Sequence, residues 1–233
     1  MPREIFEQAA PGHTDWYATR RGRRTDSAER ALLASLLAHF PSAQSVLEIG
    51  CGTGQFSRWL ATRSLKVVGL DRSPGMLAEM GRLSPEFPAI LGDAHRLPFG
   101  DGTIDLVSYV TALEFLEEPP RALAEAVRVA RRGVILVVLN KWSLGGLSRR
   151  WGPQSRQPLL GRARDWSLAG LLKIVREVTA RRLQKITWAG ALFPGCPSRV
   201  LAPIPVGDVI GLGVVLKSSA ANTNPTHPVP ADR

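Results

Sequence analysis

At 233 residues the chain has room for one α/β domain with a sizeable core and little room for two. Hydrophobic residues make up 44% and charged residues 21%, an ordinary globular balance, and no apolar stretch reaches the roughly 18 residues of a membrane span. The net charge is +10, yet arginines outnumber lysines 25 to 5 and are scattered (20–24, 58, 63, 131–132, 149–150, 162, 164, 181–182). That scatter favours a solvated basic surface over a face built for nucleic acid or anionic lipid.

Met1-Pro2-Arg3-Glu4-Ile5-Phe6 lacks the basic region and apolar core of a signal peptide. Two cysteines, Cys51 and Cys196, cannot build a disulfide scaffold. A reducing, cytoplasmic setting is the expectation. Helix formers fill 27–39, with Asp26 or Ser27 as the expected cap and Pro41-Ser42 as the stop. A strand at 45–49 precedes a helix at 54–64, and a second strand, 66–70, closes on Asp71. Ser73-Pro74 opens the next helix, with proline in the first turn, where its missing N–H costs nothing. Strands follow at 89–92 and 104–110, then a helix at 119–131 and the apolar strand 134–139. A long loop is expected over 141–166, a helix over 167–180, and strands near 183–190 and 211–217. Such alternation means a mostly parallel sheet covered by helices on both faces. The expected domain is 1–217, followed by a proline-bearing tail, 218–233, with almost no large apolar groups to order it.

The richest segment is Val46-Leu47-Glu48-Ile49-Gly50-Cys51-Gly52-Thr53-Gly54. An apolar strand with one acid breaks into three glycines, which take positive φ without penalty and let backbone approach a ligand. A dinucleotide fingerprint reads G-x-G-x-x-G and seats a pyrophosphate. Here the spacing is G-x-G-x-G, and Glu48 would repel a pyrophosphate while suiting a cationic amino-acid end. Cys51 reads as a small filler in the loop. Asp71, at the carboxyl end of the second strand, is placed to accept from both hydroxyls of a ribose and also to cap the following helix.

This pattern resembles the first motif of the class I S-adenosylmethionine (SAM) dependent methyltransferases, and the likeness extends over about 15–140. Asp15-Trp16-Tyr17-Ala18-Thr19 with Gly22 is similar to the lead-in of the ubiquinone/menaquinone methyltransferase group, which folds over the cofactor. Gly92-Asp93-Ala94 matches the position that reads adenine, and Leu97-Pro98-Phe99 with Asp105 the family's L-P-F…D pattern. Arg131-Arg132-Gly133 stands where the family has K-P-G-G, with the turn expected to survive.

The resemblance implies an α/β, Rossmann-like, seven-stranded, mostly parallel sheet, with SAM as cofactor and S-adenosylhomocysteine as its product. It assigns cofactor contacts to Glu48, Gly50, Cys51, Gly52, Gly54, Asp71, Arg72, Met76, Asp93, Ala94, Trp16 and Tyr17. The acceptor is expected to be a small molecule, with no metal required. Where the family often carries A-L-H-H-L, this chain has Ala112-Leu113-Glu114-Phe115-Leu116, so Glu114 becomes the candidate catalytic base. Trp142, Trp151 and Trp166 in the long loop are the candidate aromatic wall of an acceptor pocket. Two other readings stay open: an RNA or protein methyltransferase, suggested by the charge, and a SAM-binding protein without catalysis, suggested by the altered Glu114-Phe115 segment.

Overall fold

The computed structural model of the chain describes residues 4–151, 159–192 and 203–217. Cys196 and the expected tail at 218–233 lie outside the described residues. Seven strands form one sheet in the order β3-β2-β1-β4-β5-β7-β6. They are β1 (Ser45–Ile49), β2 (Lys66–Asp71), β3 (Ala89–Leu91), β4 (Ile104–Val110), β5 (Ala130–Leu139), β6 (Leu183–Ala191) and β7 (Val209–Leu216). Neighbours from β3 through β5 pair in parallel, and β7 runs antiparallel to both β5 and β6. The chain reverses its spreading direction between β1 and β4, so both halves of the sheet open a crevice at the carboxyl ends of these strands.

Side chains alternate along β5 between two cores. Val134, Leu136 and Val138 pack with α6 (Pro119–Val129) and α8 (Leu168–Thr179) on one face. Ile135, Val137 and Leu139 pack with α3 (Arg20–Leu37) and α4 (Gln55–Ala61) on the other. A strand buried on both sides must be apolar at every position, which is why 134–139 is a continuous run. Leu32, Leu33 and Leu36 of α3 are each 2% exposed or less. Burial of each contributes on the order of 1.5–3 kcal/mol and anchors α3 across the sheet.

Two boundaries differ from expectation. The first long helix starts at Arg20, where Thr19 caps it by accepting the Gly22 N–H at 2.9 Å, instead of at Asp26 or Ser27. Gly22 is required there, since a Cβ would sit 2.0 Å from the Trp16 carbonyl oxygen of α2 (His13–Ala18). At 130–133 the chain is already in β5, with no separate turn, because pairing with β4 continues back to Ile104↔Ala130. Arg131 and Arg132 reach the buried Asp105, whose other oxygen accepts the Gln44 N–H at 2.8 Å. Although burial raises the Asp105 carboxyl, the Gln44 N–H and the two guanidiniums hold it below its ordinary range. Asp105 is therefore a latch at the amino-terminal edge of the sheet, the edge opposite the crevice.

The remaining helices are α1 (Glu4–Ala9), α5 (Pro74–Leu83) and α7 (Leu144–Trp151). The last of these occupies part of the segment expected to be loop.

Candidate active site

β1 ends in a loop with φ of +71° at Gly50, +53° at Gly52 and +78° at Gly54, a region only glycine enters freely. The Gly50 N–H donates to the Leu70 carbonyl at 2.7 Å, which pins the loop to the end of β2. Asp71 ties it down from the other side: one carboxylate oxygen accepts the Gly52 N–H at 2.8 Å, the other the Ser73 N–H at 2.9 Å. Each oxygen retains a lone pair, and the carboxylate lines the cavity described below. Burial raises the Asp71 carboxyl, opposed by the N–H groups of Ser73, Gly52 and Arg72.

Glu48 is 2% exposed and accepts the Ser57 hydroxyl. Burial pushes it up to about 8. Cys51 is free and buried, with its sulfur 3.8 Å from that of Met80, and burial raises its thiol. This is the environment of an inert filler.

The loop forms one wall of a cavity of about 860 Å³. That lies toward the upper end of the roughly 300–1,000 Å³ typical of ligand sites. All the expected cofactor positions except Gly54 line it. Gly54 instead caps α4 from the left-handed region. Met76 is buried in the floor; Arg72 pairs with Glu117 at 3.6 Å. Asp93 accepts the His95 N–H at 2.9 Å and lies at the exposed rim, with Ala94 buried beside it.

The N-terminal helices roof this end of the cavity. Glu7 accepts the Gly75 N–H at 2.8 Å at the start of α5. Phe6 meets Phe115 edge-to-face at 5.3 Å, and His13 lies 3.4 Å from the Thr53 hydroxyl. Trp16 and Tyr17, 5.0 Å apart, complete the roof.

Four expected side chains do not face the cavity. Glu114 is 2% exposed and absent from its lining; one oxygen accepts the Leu139 N–H at 2.5 Å and the other has no partner. Burial holds its carboxyl up at about 7, opposed by the Leu139 N–H. It props the end of β5 from within the core, so the assignment of Glu114 as a base in contact with substrate is corrected. Trp166 is likewise core, 6% exposed, while Trp142 and Trp151 project into solvent, so these tryptophans do not form the acceptor wall.

The wall is made instead by groups that sequence reasoning passed over: Glu29, Leu139, Leu144, Arg149, Leu192 and Val209. Arg149 is fixed by Asp165 at 2.7 Å and by the Asn140 carbonyl at 3.1 Å. Among the described residues, no group of three or more His, Cys, Asp and Glu side chains could hold a metal ion.

Residues 47–138 match the family model for the methyltransferase domain. That stretch is similar to a methyltransferase domain. The matched stretch runs from the third residue of β1 almost to the end of β5 and contains the glycine loop, Asp71 and Asp93.

Over 95 residues the chain is 44% identical to a demethylmenaquinone methyltransferase of Renibacterium salmoninarum, covering 41% of this chain and 40% of that one. Over 127 residues it is 37% identical to the malonyl-[acyl-carrier protein] O-methyltransferase of Pectobacterium atrosepticum, covering 54% and 49%. The alignments thus span less than half the length of these curated relatives.

Among solved structures, a SAM-dependent methyltransferase of Thermotoga maritima (possible histamine N-methyltransferase) superposes with a TM-score of 0.77 at 24% identity, covering 93% of this chain and all of that one. The magnesium protoporphyrin IX methyltransferase of Synechocystis with bound S-adenosylhomocysteine does so at 0.63 and 17% identity, covering 93% and 98%. These likenesses establish the fold as that of the class I methyltransferases.

Proposed function

We propose that this protein transfers the methyl group of SAM to a small-molecule acceptor. The observation carrying the reading is the cavity wall in which the positive-φ glycines stand beside the half-satisfied Asp71 carboxylate under an aromatic roof. Asp71, held by two backbone N–H groups, is oriented to accept from a sugar diol. Glu48 at the loop offers a carboxyl toward an amino-acid end, with Met76 and Ala94 supplying a flat apolar bed for a base. The Trp16 and Tyr17 rings exclude water and present π-faces to positive charge. When bound, SAM supplies a methyl on a sulfonium, a good leaving group, so the protein's task is alignment and water exclusion.

The basic charge does not favour a nucleic-acid substrate. Five of its arginines are engaged within the fold: Arg131 and Arg132 on Asp105, Arg128 on Glu125 and Asp101, Arg149 on Asp165, and Arg182 on the Val127 and Ala130 carbonyls. No helix among the described residues is long and apolar enough to cross a membrane.

Calorimetry with SAM and S-adenosylhomocysteine is the direct test, and binding of neither refutes the reading. Asp71→Ala removes two charge-assisted hydrogen bonds of about 1.5–3 kcal/mol each, so affinity should fall at least tenfold. Unchanged affinity in a folded variant rejects the ribose role.

A further inference from the structure

Every charged group that lines the cavity has a partner or an interaction of its own except one. Asp71 holds two N–H groups, Glu48 the Ser57 hydroxyl, Asp93 the His95 N–H, and Asp208 the Gly145 N–H at 2.9 Å. Arg72 and Arg149 are ion-paired, His13 approaches Thr53, and Arg21 and Arg24 have interactions of their own. Glu29 has no hydrogen bond or ion pair from its carboxylate among the described residues, although it is only 3% exposed and lines the cavity. A buried carboxylate with no partner is a costly arrangement that a fold does not need for its own stability.

Its position is set by α3. Leu32 packs over Gly211 of β7, so Glu29, about one turn earlier, lies level with Val209 and its β5 partner Leu139. Those two residues line the cavity together with Leu192 and Tyr17. This is the β5–β7 side of the crevice, displaced across the sheet from Asp71 and Asp93 at the ends of β2 and β3. Around the carboxylate the walls are apolar, and its charged neighbours are acids: Asp26 on its own helix and Glu114 beneath β5. Burial, then those two acids, raise it to about 8. Burial, then the charge of the nearby Glu29, raises the Tyr17 phenol, so a neutral aromatic ring stands beside the carboxyl.

We propose that Glu29 receives the nucleophile of the methyl acceptor and that this nucleophile is an amine carried on an apolar skeleton. The proposal rests on the methyl-transfer reading above. An ammonium group supplies the cation that the carboxylate lacks, and the Tyr17 ring adds a π-face to the same charge. In the reaction, Glu29 takes a proton from the ammonium nitrogen. The freed lone pair forms the N–C bond to the methyl carbon as the C–S bond breaks, its electron pair passing to sulfur. The products are an N-methylated ammonium and a neutral thioether, and Glu29 passes the proton it took to solvent. Burial and the two neighbouring acids keep the Glu29 carboxyl above the ordinary carboxylate range, which suits it to take a proton from an amine. An acidic acceptor, by contrast, meets at this wall the Glu29 carboxyl and an Arg149 already paired with Asp165.

The test uses three probes on one skeleton: phenethylamine, 4-ethylphenol and 3-phenylpropionate, titrated calorimetrically into the full chain loaded with S-adenosylhomocysteine. The amine should bind at least tenfold more tightly than the other two. Glu29→Gln should abolish that preference while leaving S-adenosylhomocysteine affinity unchanged, and Glu29→Met serves if the Gln variant does not fold. Equal or tighter binding of the phenol or the acid, amine binding untouched by the substitution, or no binding of any probe to the loaded protein overturns the proposal. Failure of S-adenosylhomocysteine itself to bind refutes the methyl-transfer reading instead.

Discussion

Replacing Glu114 with Gln separates a structural carboxyl from a catalytic one through the pH dependence of stability. In the folded protein Glu114 titrates at about 7, because burial disfavours its charged form more than the Leu139 N–H favours it. In the unfolded chain it titrates near 4.5. Between those values the unfolded chain has released a proton that the folded protein still holds, so stability falls as the pH rises. The gap of about two and a half pH units, at roughly 1.4 kcal/mol each, is worth about 3 kcal/mol once the pH exceeds both values.

Glutamine cannot ionise and removes that loss. It also leaves an amide N–H₂ where Glu114 has an unpartnered oxygen, a pH-independent cost of about 1–3 kcal/mol. The variant should therefore be less stable than the parent at about pH 5 and as stable or more so at about pH 8. Urea unfolding followed by tryptophan fluorescence measures the difference across that range. A stability difference that does not change with pH refutes the argument. Retained methyl transfer in the variant is expected, and its complete loss would restore Glu114 as a base.

Two other substitutions probe the scaffold. Gly50→Ala places a Cβ 2.5 Å from that of Ala112 at a φ of +71°, so backbone strain of about 1–2 kcal/mol adds to a clash. A lowered melting temperature and weakened S-adenosylhomocysteine binding are expected, and a neutral effect on both would show that the loop adapts. Asp105→Ala strands Arg131, Arg132 and the part-buried Gln44 N–H, with an expected cost of about 1–3 kcal/mol in denaturant unfolding. Because the latch lies at the far edge of the sheet, ligand affinity measured by calorimetry should be unaffected; a large loss would contradict that placement.

The parts of the site legible in sequence were those where structure and function share a few consecutive residues. Gly50, Gly52 and Gly54 announce a positive-φ loop, and Asp71 follows at the end of the next strand because the βα unit has a standard length. The start of α3 was hidden because Arg20–Arg24 looks like a charge run, while its cap, Thr19, depends on a close helix crossing that only Gly22 permits. Glu114 was misassigned because a local motif gives no direction. The group it serves, Leu139, is 25 residues further along. Glu29 escaped notice for the same reason: on α3 it reads as one more helical acid, and only the packing of Leu32 over β7 carries it to the cavity.

The placement of β7 has a consequence for biogenesis. It is the final described strand in the chain, yet it is inserted between β5 and β6 instead of being added at a border. From the emergence of Leu139 until Val209 follows, some 70 residues later, β5 has no partner on that side. At ordinary translation rates of about 5–20 residues per second, the nascent chain exposes the uncharged run Val134–Leu139 for on the order of 4–14 s. That run is the kind of open apolar edge that pairs with a neighbouring chain. Premature termination upstream of Val209 should thus yield polypeptides that aggregate or engage chaperones, even though the entire segment 47–138 has already been made.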